Sequence, residues 1–159
     1  MTETIICTNN DIPSNLDFSG IHYFRHNHRQ KNVFIIVVGG EKKVTRWYQT
    51  YDGDDVAEEE TIREVVGVVS LHQSPYDENI VWLNFIEVHP EHQNKGISKE
   101  MCKDVADVMF GVFHNKILHR SIVSEFCPTH MTEKFDQWYE ELGVTWCQER
   151  DGEMVSNKK

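Results

Sequence analysis

The sequence predicts a single α/β domain, and three observations carry the prediction. Apolar, β-branched runs dominate the first half and read as strands. The stretch Val81-Trp-Leu-Asn-Phe-Ile-Glu-Val-His-Pro90 is a further apolar strand, and it leads through Gln93-Asn-Lys-Gly-Ile-Ser98 into an amphipathic run with helical spacing. Downstream, His119-Arg-Ser-Ile-Val-Ser-Glu125 reads as a strand and Thr129 to Leu142 as a helix that Gly143 ends. A chain of 159 residues, 39% hydrophobic and 26% charged, can bury one sizeable core.

The elements follow in order. A short strand is expected around Thr4 to Cys7, followed by a turn at Asn9-Asn-Asp-Ile-Pro-Ser. Residues Asn15 to Gln30 suggest one or two short helices broken at Gly20. Val33-Phe-Ile-Ile-Val-Val38 is apolar throughout, hence a buried strand, and Gly39-Gly-Glu-Lys reads as a turn into a hairpin partner, Val44 to Tyr51. Asp52, Asp54, Asp55, Glu58, Glu59, Glu60 and Glu64 crowd the next segment, with Arg63 the one positive charge among them. They predict either a solvated loop or an acidic rim that attracts a cation. Val65 to His72 is a strand, and Ser74-Pro75 turns the chain into Val81 to Val88. Ile97, Met101, Val105, Val108 and Val112 share one helix face. The last strand is Val144 to Gln148, so the domain occupies residues 1–150 and 151–159 form a polar, frayed tail.

Charge and cysteine content narrow the function classes. A formal charge of −10 disfavours non-specific nucleic-acid binding, which relies on Lys and Arg against phosphate. No apolar run is long enough to cross a membrane, and Met-Thr-Glu-Thr lacks the basic start of a signal peptide. Cys7, Cys102, Cys127 and Cys147 are far apart with no CxxC pair, which suits reduced thiols. A cytoplasmic location is expected. Among the nine histidines, His22, His26 and His28 lie close together and His89 and His92 flank the loop, yet neither group has the spacing of a familiar zinc motif. The expectation is no metal.

The loop after Pro90 is the most informative feature. Gly96 lets the backbone bend with its N–H groups inward, and a helix starting near Ser98 presents unpaired N–H groups and a positive dipole end, with Ser98 itself able to cap. The pattern is neither GxxxxGK[ST] nor GxGxxG. Gln93-x-x-Gly96-x-Ser98 after a strand ending in Val resembles the coenzyme-binding signature of the GCN5-related N-acetyltransferase (GNAT) family, with Ser98 in place of the second glycine. Trp138-Tyr-Glu-Glu-Leu-Gly-Val144 resembles that family's closing motif. The resemblance runs from Val66 to Trp146 and is poor before that.

The resemblance implies a mixed central β-sheet flanked by helices, with two splayed parallel strands, here Trp82 to Val88 and Arg120 to Glu125. Acetyl-coenzyme A would lie in the splay, its pantetheine arm on backbone groups of Ile86 and Val88 and its diphosphate on Gln93, Asn94, Lys95, Gly96, Ile97, Ser98 and Lys99. Thr132 stands where the family often has Asn and would meet the coenzyme. Tyr139 matches the usual general acid, protonated at neutral pH by an ordinary pKa near ~10.

Acetyl transfer to a primary amine also requires the amine to be neutral. For a lysine-like amine at pH 7 that costs about 4.6 kcal/mol, from roughly 3.4 units at about 1.36 each. Family members often place a base at positions that here hold Trp82 and Asn84, and neither is one. Asn84 can bind a water or the substrate; Glu87, whose parity differs from theirs, Glu125 and His72 are the other candidates. The expected activity is direct transfer in a ternary complex to a small-molecule or protein amine, with a homodimer left open. The alternative is a catalytically weak member of the fold that binds coenzyme A or a protein partner.

Overall fold

The computed structural model describes residues 2–22, 24, 31–120 and 129–158. Among them, eight strands join one sheet: β1 Glu3–Thr8, β2 Leu16–Asp17, β3 Asn32–Gln49, β4 Asp55–Gln73, β5 Ile80–Val88, β6 Ile117–Arg120, β7 Trp146–Arg150 and β8 Glu153–Ser156. Two helices, α1 Ile97–Gly111 and α2 Thr129–Glu141, accompany it. The order is β1-β3-β4-β5-β6-β7-β8, with β2 alongside β4. From β1 to β5 that path is antiparallel, whereas β5–β6 and β6–β7 are parallel. Parallel neighbours need a crossover, and α1 and α2 supply the two.

The uninterrupted run Val33–Val38 reflects a strand buried on both faces. Ile35 and Val37 join Val69, Leu71 and Leu83 beneath the helices, where Met101, Val105, Met109 and Phe135 close the core. Phe34, Ile36 and Val38 point the other way, onto Val65, Val68, Cys7 and Ile21. The predicted stripe of α1 packs as expected through Met101, Val105 and Val108, while Val112 lies past the helix end and is half exposed. Helix and sheet approach closely at Gly67. A Cβ there would lie 2.7 Å from Met101 Sδ and 3.2 Å from Ile97 Cγ2. Gly67 is opposite Val88, so this contact seats the start of α1 at the end of β5.

Four expectations are corrected. Gly39-Gly40 is not a turn, because β3 continues through it and absorbs register shifts between Val37 and Val38 and between Val38 and Glu41. The hairpin turns instead after Thr50, where Gly53 takes φ +86° and its N–H donates to the Thr50 carbonyl at 2.9 Å. The acidic segment is not a loop, since Asp55 to Glu64 belong to β4. No helix occurs among the described part of Asn15–Gln30; Leu16–Asp17 pairs with Arg63–Glu64, and Asp17 accepts the Ser19 N–H at 3.0 Å in a local turn. The tail is not frayed, because β8 pairs with β7 from Cys147–Ser156 to Arg150–Glu153.

Strands β3 and β4 outrun their neighbours. β1 covers β3 only over Val33–Val38, and β5 covers β4 only over Gly67–Gln73. The remainder forms a two-stranded ribbon with Trp47, Tyr48 and Tyr51 exposed near its tip. Its acidic strand faces Lys42, Lys43 and Arg46, and Arg46 pairs with Glu60 at 2.6 Å. Pairs this exposed contribute at most about 1 kcal/mol, so they compensate charge more than they stabilise.

Candidate active site

Strand β5 organises the site on both of its edges. Against β6 it pairs at Ile80–Ile117, Val81–Leu118 and Trp82–His119, and residues 121–128 beyond Arg120 lie outside the described ones. From Leu83 onward the β6-side edge of β5, including Ile86 and Val88, has no strand partner among the described residues. A ligand with alternating donors and acceptors can pair there as a strand would.

Against β4 the strand carries a bulge. Leu83 is opposite Leu71 and Phe85 opposite Ser70, which leaves Asn84 as the extra residue. The bulge reverses side-chain parity downstream. Glu87, opposite Val68, therefore shares the face of Trp82, opposite His72, and the expectation of opposite parity is overturned. Glu87 is buried, and its Oε1 accepts the His22 N–H at 2.8 Å with His22 Nδ1 at 3.4 Å.

Asn84 anchors a buried polar lane on that same face. Its Nδ2 donates to Asn32 Oδ1 at 3.1 Å and to Ser70 Oγ at 3.2 Å, while Asn32 Nδ2 reaches Asn9 Oδ1 at 3.4 Å. His72 closes the lane. Its ring meets that of Trp82 edge-on at 4.9 Å and hydrogen-bonds Asn84, and it is only 6% exposed. Burial lowers its pKa, the Asn84 bond opposing the shift without cancelling it, so the imidazole is neutral at pH 7. Its Nδ1 is buried with no hydrogen-bond partner among the described residues.

At the other end of β5 the chain passes through a short 3-10 turn, Pro90–His92, into the loop. Asn94 and Gly96 take φ values of +64° and +80°, the left-handed region that glycine enters without cost. Gly96 occupies the cap position, so the expectation that Ser98 caps α1 is corrected: Ser98 lies inside the first turn, and no side chain caps the helix. The earliest helical bond runs from the Glu100 N–H to the Gly96 carbonyl at 3.2 Å. The N–H groups of Ile97, Ser98 and Lys99 therefore precede the helical ladder and suit an anion. Gln93, Asn94, Lys95, Gly96 and Lys99 are exposed, while Ile97 and Ser98 are half-buried. The Gln93 side chain folds back to the Val88 carbonyl at 3.5 Å.

Helix α2 carries Thr132, half-buried, and two turns later Tyr139, which is fully buried. The Tyr139 ring packs near that of Phe135 and under the Arg120 guanidinium, 5.0 Å from its centroid. Asp136 on the same helix receives Arg120 Nη1 at 2.5 Å and Arg150 Nη2 at 2.7 Å. Sequence reasoning missed this cluster, because a strand arginine on the inward parity looks like any surface charge until its carboxylate is located. It also missed that Glu64 comes together with His89 and His92. Glu125 lies outside the described residues.

The candidate site thus lies on a mixed α/β sheet, where β5 leads through a glycine loop into the start of α1. Residues 41–125 match the acetyltransferase (GNAT) family, and the chain belongs to that family. No curated protein matches the chain. Among solved structures, two chimeric spermidine N-acetyltransferases, from Vibrio cholerae and hSSAT, align at 16% identity each. Their TM-scores are 0.34 and 0.36, over 70% and 79% of this chain. A nourseothricin acetyltransferase aligns at 13% identity and TM-score 0.27 over 91% of this chain and 72% of its own. The chain spans 50% and 64% of the two chimeras. At that level of similarity their substrates say nothing about this chain's.

Proposed function

We propose that the protein transfers an acetyl group from acetyl-coenzyme A directly to a primary amine in a ternary complex. The observation that carries this reading is the run of β5 through the Gly96 loop into the start of α1, in a chain of the acetyltransferase family. The pantetheine arm pairs with the backbone at Ile86 and Val88, and the diphosphate takes the N–H groups of residues 94–99, with Thr132 as a further contact. Tyr139 gives its proton to the departing thiolate, which requires the coenzyme's sulfur to reach this buried phenol.

His72 serves as the general base. It is directly opposite Trp82, the position where a base is wanted, and it is neutral, buried and hydrogen-bonded to Asn84 at the bulge. Its Nδ1, without a hydrogen-bond partner among the described residues, takes the ammonium proton in the tautomer that keeps the ring proton on Nε2. Glu87 holds the segment at His22 and acts as a positioning residue.

Incubation with acetyl-coenzyme A and a panel of polyamines, aminosugars, amino acids and peptides, read by mass spectrometry, tests the activity. A 42-dalton-class acetyl adduct on at least one amine is expected, at about one acetyl per turnover, as direct transfer requires. Coenzyme binding without any adduct supports the second reading, a binding protein on this fold, which the full burial of Tyr139 favours.

A further inference from the structure

We propose that Glu64, His89 and His92 form a binding site for a divalent transition-metal ion of the zinc class, tying strand β4 to the turn that opens the 93–98 loop. One ligand atom from each residue falls in a group whose members all lie within 4.8 Å of one another. Around a tetrahedral ion with bonds of about 2.1 Å, neighbouring ligands stand roughly 3.4 Å apart, a difference that side-chain torsions close. His92 Nε2 and Glu64 Oε1 are already 2.6 Å apart, and the rings of His89 and His92 meet edge-on at 5.2 Å.

The set has the chemistry of a metal centre rather than of a simple ion pair. Two imidazoles and one carboxylate are the donors of a well-known zinc ligand combination, which leaves a position for water. An ion pair between His92 and Glu64 accounts for two of the three residues, and His89 joins them from the cap of the Pro90–His92 turn. The His89 backbone is fixed by its N–H bond to the Val66 carbonyl at 2.8 Å, two residues from Glu64. Its ring is held by the chain at Gly20, where a Cβ would lie 1.8 Å from Cδ2, so only glycine can pass. The Glu91 N–H donates to His89 Nδ1 at 3.1 Å, so an ion that takes Nδ1 displaces this bond and one that takes Nε2 displaces its proton, as ligand imidazoles do on binding. All three side chains are half-buried, accessible to an ion yet shielded from full hydration. Pro90 stands between the two histidines and stiffens the turn.

The test is zinc titration by calorimetry on the full chain after chelator treatment, alongside His92→Ala, His89→Gln, Glu64→Gln and a control, His114→Ala, at an exposed position beyond α1. Wild type and the control should bind one more equivalent than the three site variants, or bind it at least about tenfold more tightly, the loss that even an outer-shell change brings. Cobalt should give the intense visible bands of a four-coordinate site in wild type and lose them in the variants. Equal zinc affinity in wild type and in site variants of native circular dichroism overturns the proposal. Should the variants fail to fold, absence of the cobalt bands in wild type overturns it equally. Neither readout involves the coenzyme, so the site stands or falls apart from the acetyltransferase reading.

Discussion

Replacing Asp136 with asparagine isolates the contact that locks α2 to the sheet. In the wild-type protein this carboxylate takes Arg120 at 2.5 Å and Arg150 at 2.7 and 3.1 Å. Arg120 is 0% exposed, with its guanidinium over the rings of Tyr139 and Trp146 at 5.0 and 4.5 Å. Removing one partner of a buried pair costs about 3–5 kcal/mol, because the remaining charge loses much of its compensation. Asp136 is a quarter exposed and the asparagine oxygen still accepts one bond, so the low end applies, about 3 kcal/mol. For a chain of this length about 2–4 °C accompanies each kcal/mol, which gives a fall in Tm of roughly 6–12 °C.

The same residue has a pH signature. Burial raises the Asp136 pKa, but hydrogen bonds from Arg150 and Arg120 outweigh it and hold the carboxyl below its ordinary value. A depressed carboxyl contributes stability above the unfolded pKa, about 3.9, and loses it as pH falls through the folded value. Thermal melts of both proteins from pH 7 downward should show the gap between them closing below about pH 4. A Tm difference under about 1 °C at pH 7, or a gap that widens toward acid, refutes the argument, since either would mean Arg120 is satisfied without Asp136.

Four further outcomes bear on the site. Gly96→Glu should abolish acetyl-coenzyme A binding by calorimetry, because it puts a negative charge in the loop and strains a backbone at φ +80°, although an added Cβ meets no atom within 4 Å; unchanged affinity removes the loop from the site. Tyr139→Phe should lower kcat more than it weakens coenzyme binding, as the proton matters only while the thiolate forms, and full turnover would discharge Tyr139 from the chemistry. Wild-type kcat/KM should hold above about pH 6.5 and decline only below it, because the folded His72 pKa is depressed, and His72→Gln should abolish that acid limb; an unchanged limb in the variant assigns the base elsewhere. Converting Asp54, Asp55, Glu58, Glu59 and Glu60 to amides should raise KM for a cationic amine and flatten its salt dependence in dilute buffer, where screening over about 8 Å has not yet set in; an identical salt profile leaves the ribbon without a steering role.

Local chemistry made much of the fold legible. The apolar runs at Val33–Val38 and Val65–His72, the stripe of α1 and the stop at Gly143 are dictated within a few residues, by burial on both strand faces, by helical period and by a left-handed glycine at φ +78°. The loop before α1 was legible for the same reason, because a glycine followed by a helix start is a local event. Gly39-Gly40 misled because glycine pairs suit a turn and a bulge equally well, and only the length of the partner strand decides between them. The acidic segment misled because Lys42, Lys43 and Arg46, which offset it, are contributed by another strand.

By itself, the sequence determined the class of the fold, the strand of the candidate site and the loop that follows it, and it offered Tyr139 as a candidate acid. The tertiary structure alone decided the orientation of the chemistry. A single extra residue at Asn84 reverses parity, and one-residue shifts are invisible to a period-two pattern read without its partner strand. That shift sets Glu87 on the face of Trp82 and groups Asn32, Ser70, His72 and Asn84, residues up to 52 positions apart. The salt-bridged core of Arg120, Asp136 and Arg150 and the convergence of Glu64 on His89 and His92 arise in the same way. Each needs two or three elements brought to contact distance, and that distance is a property of the packed sheet rather than of any segment within it.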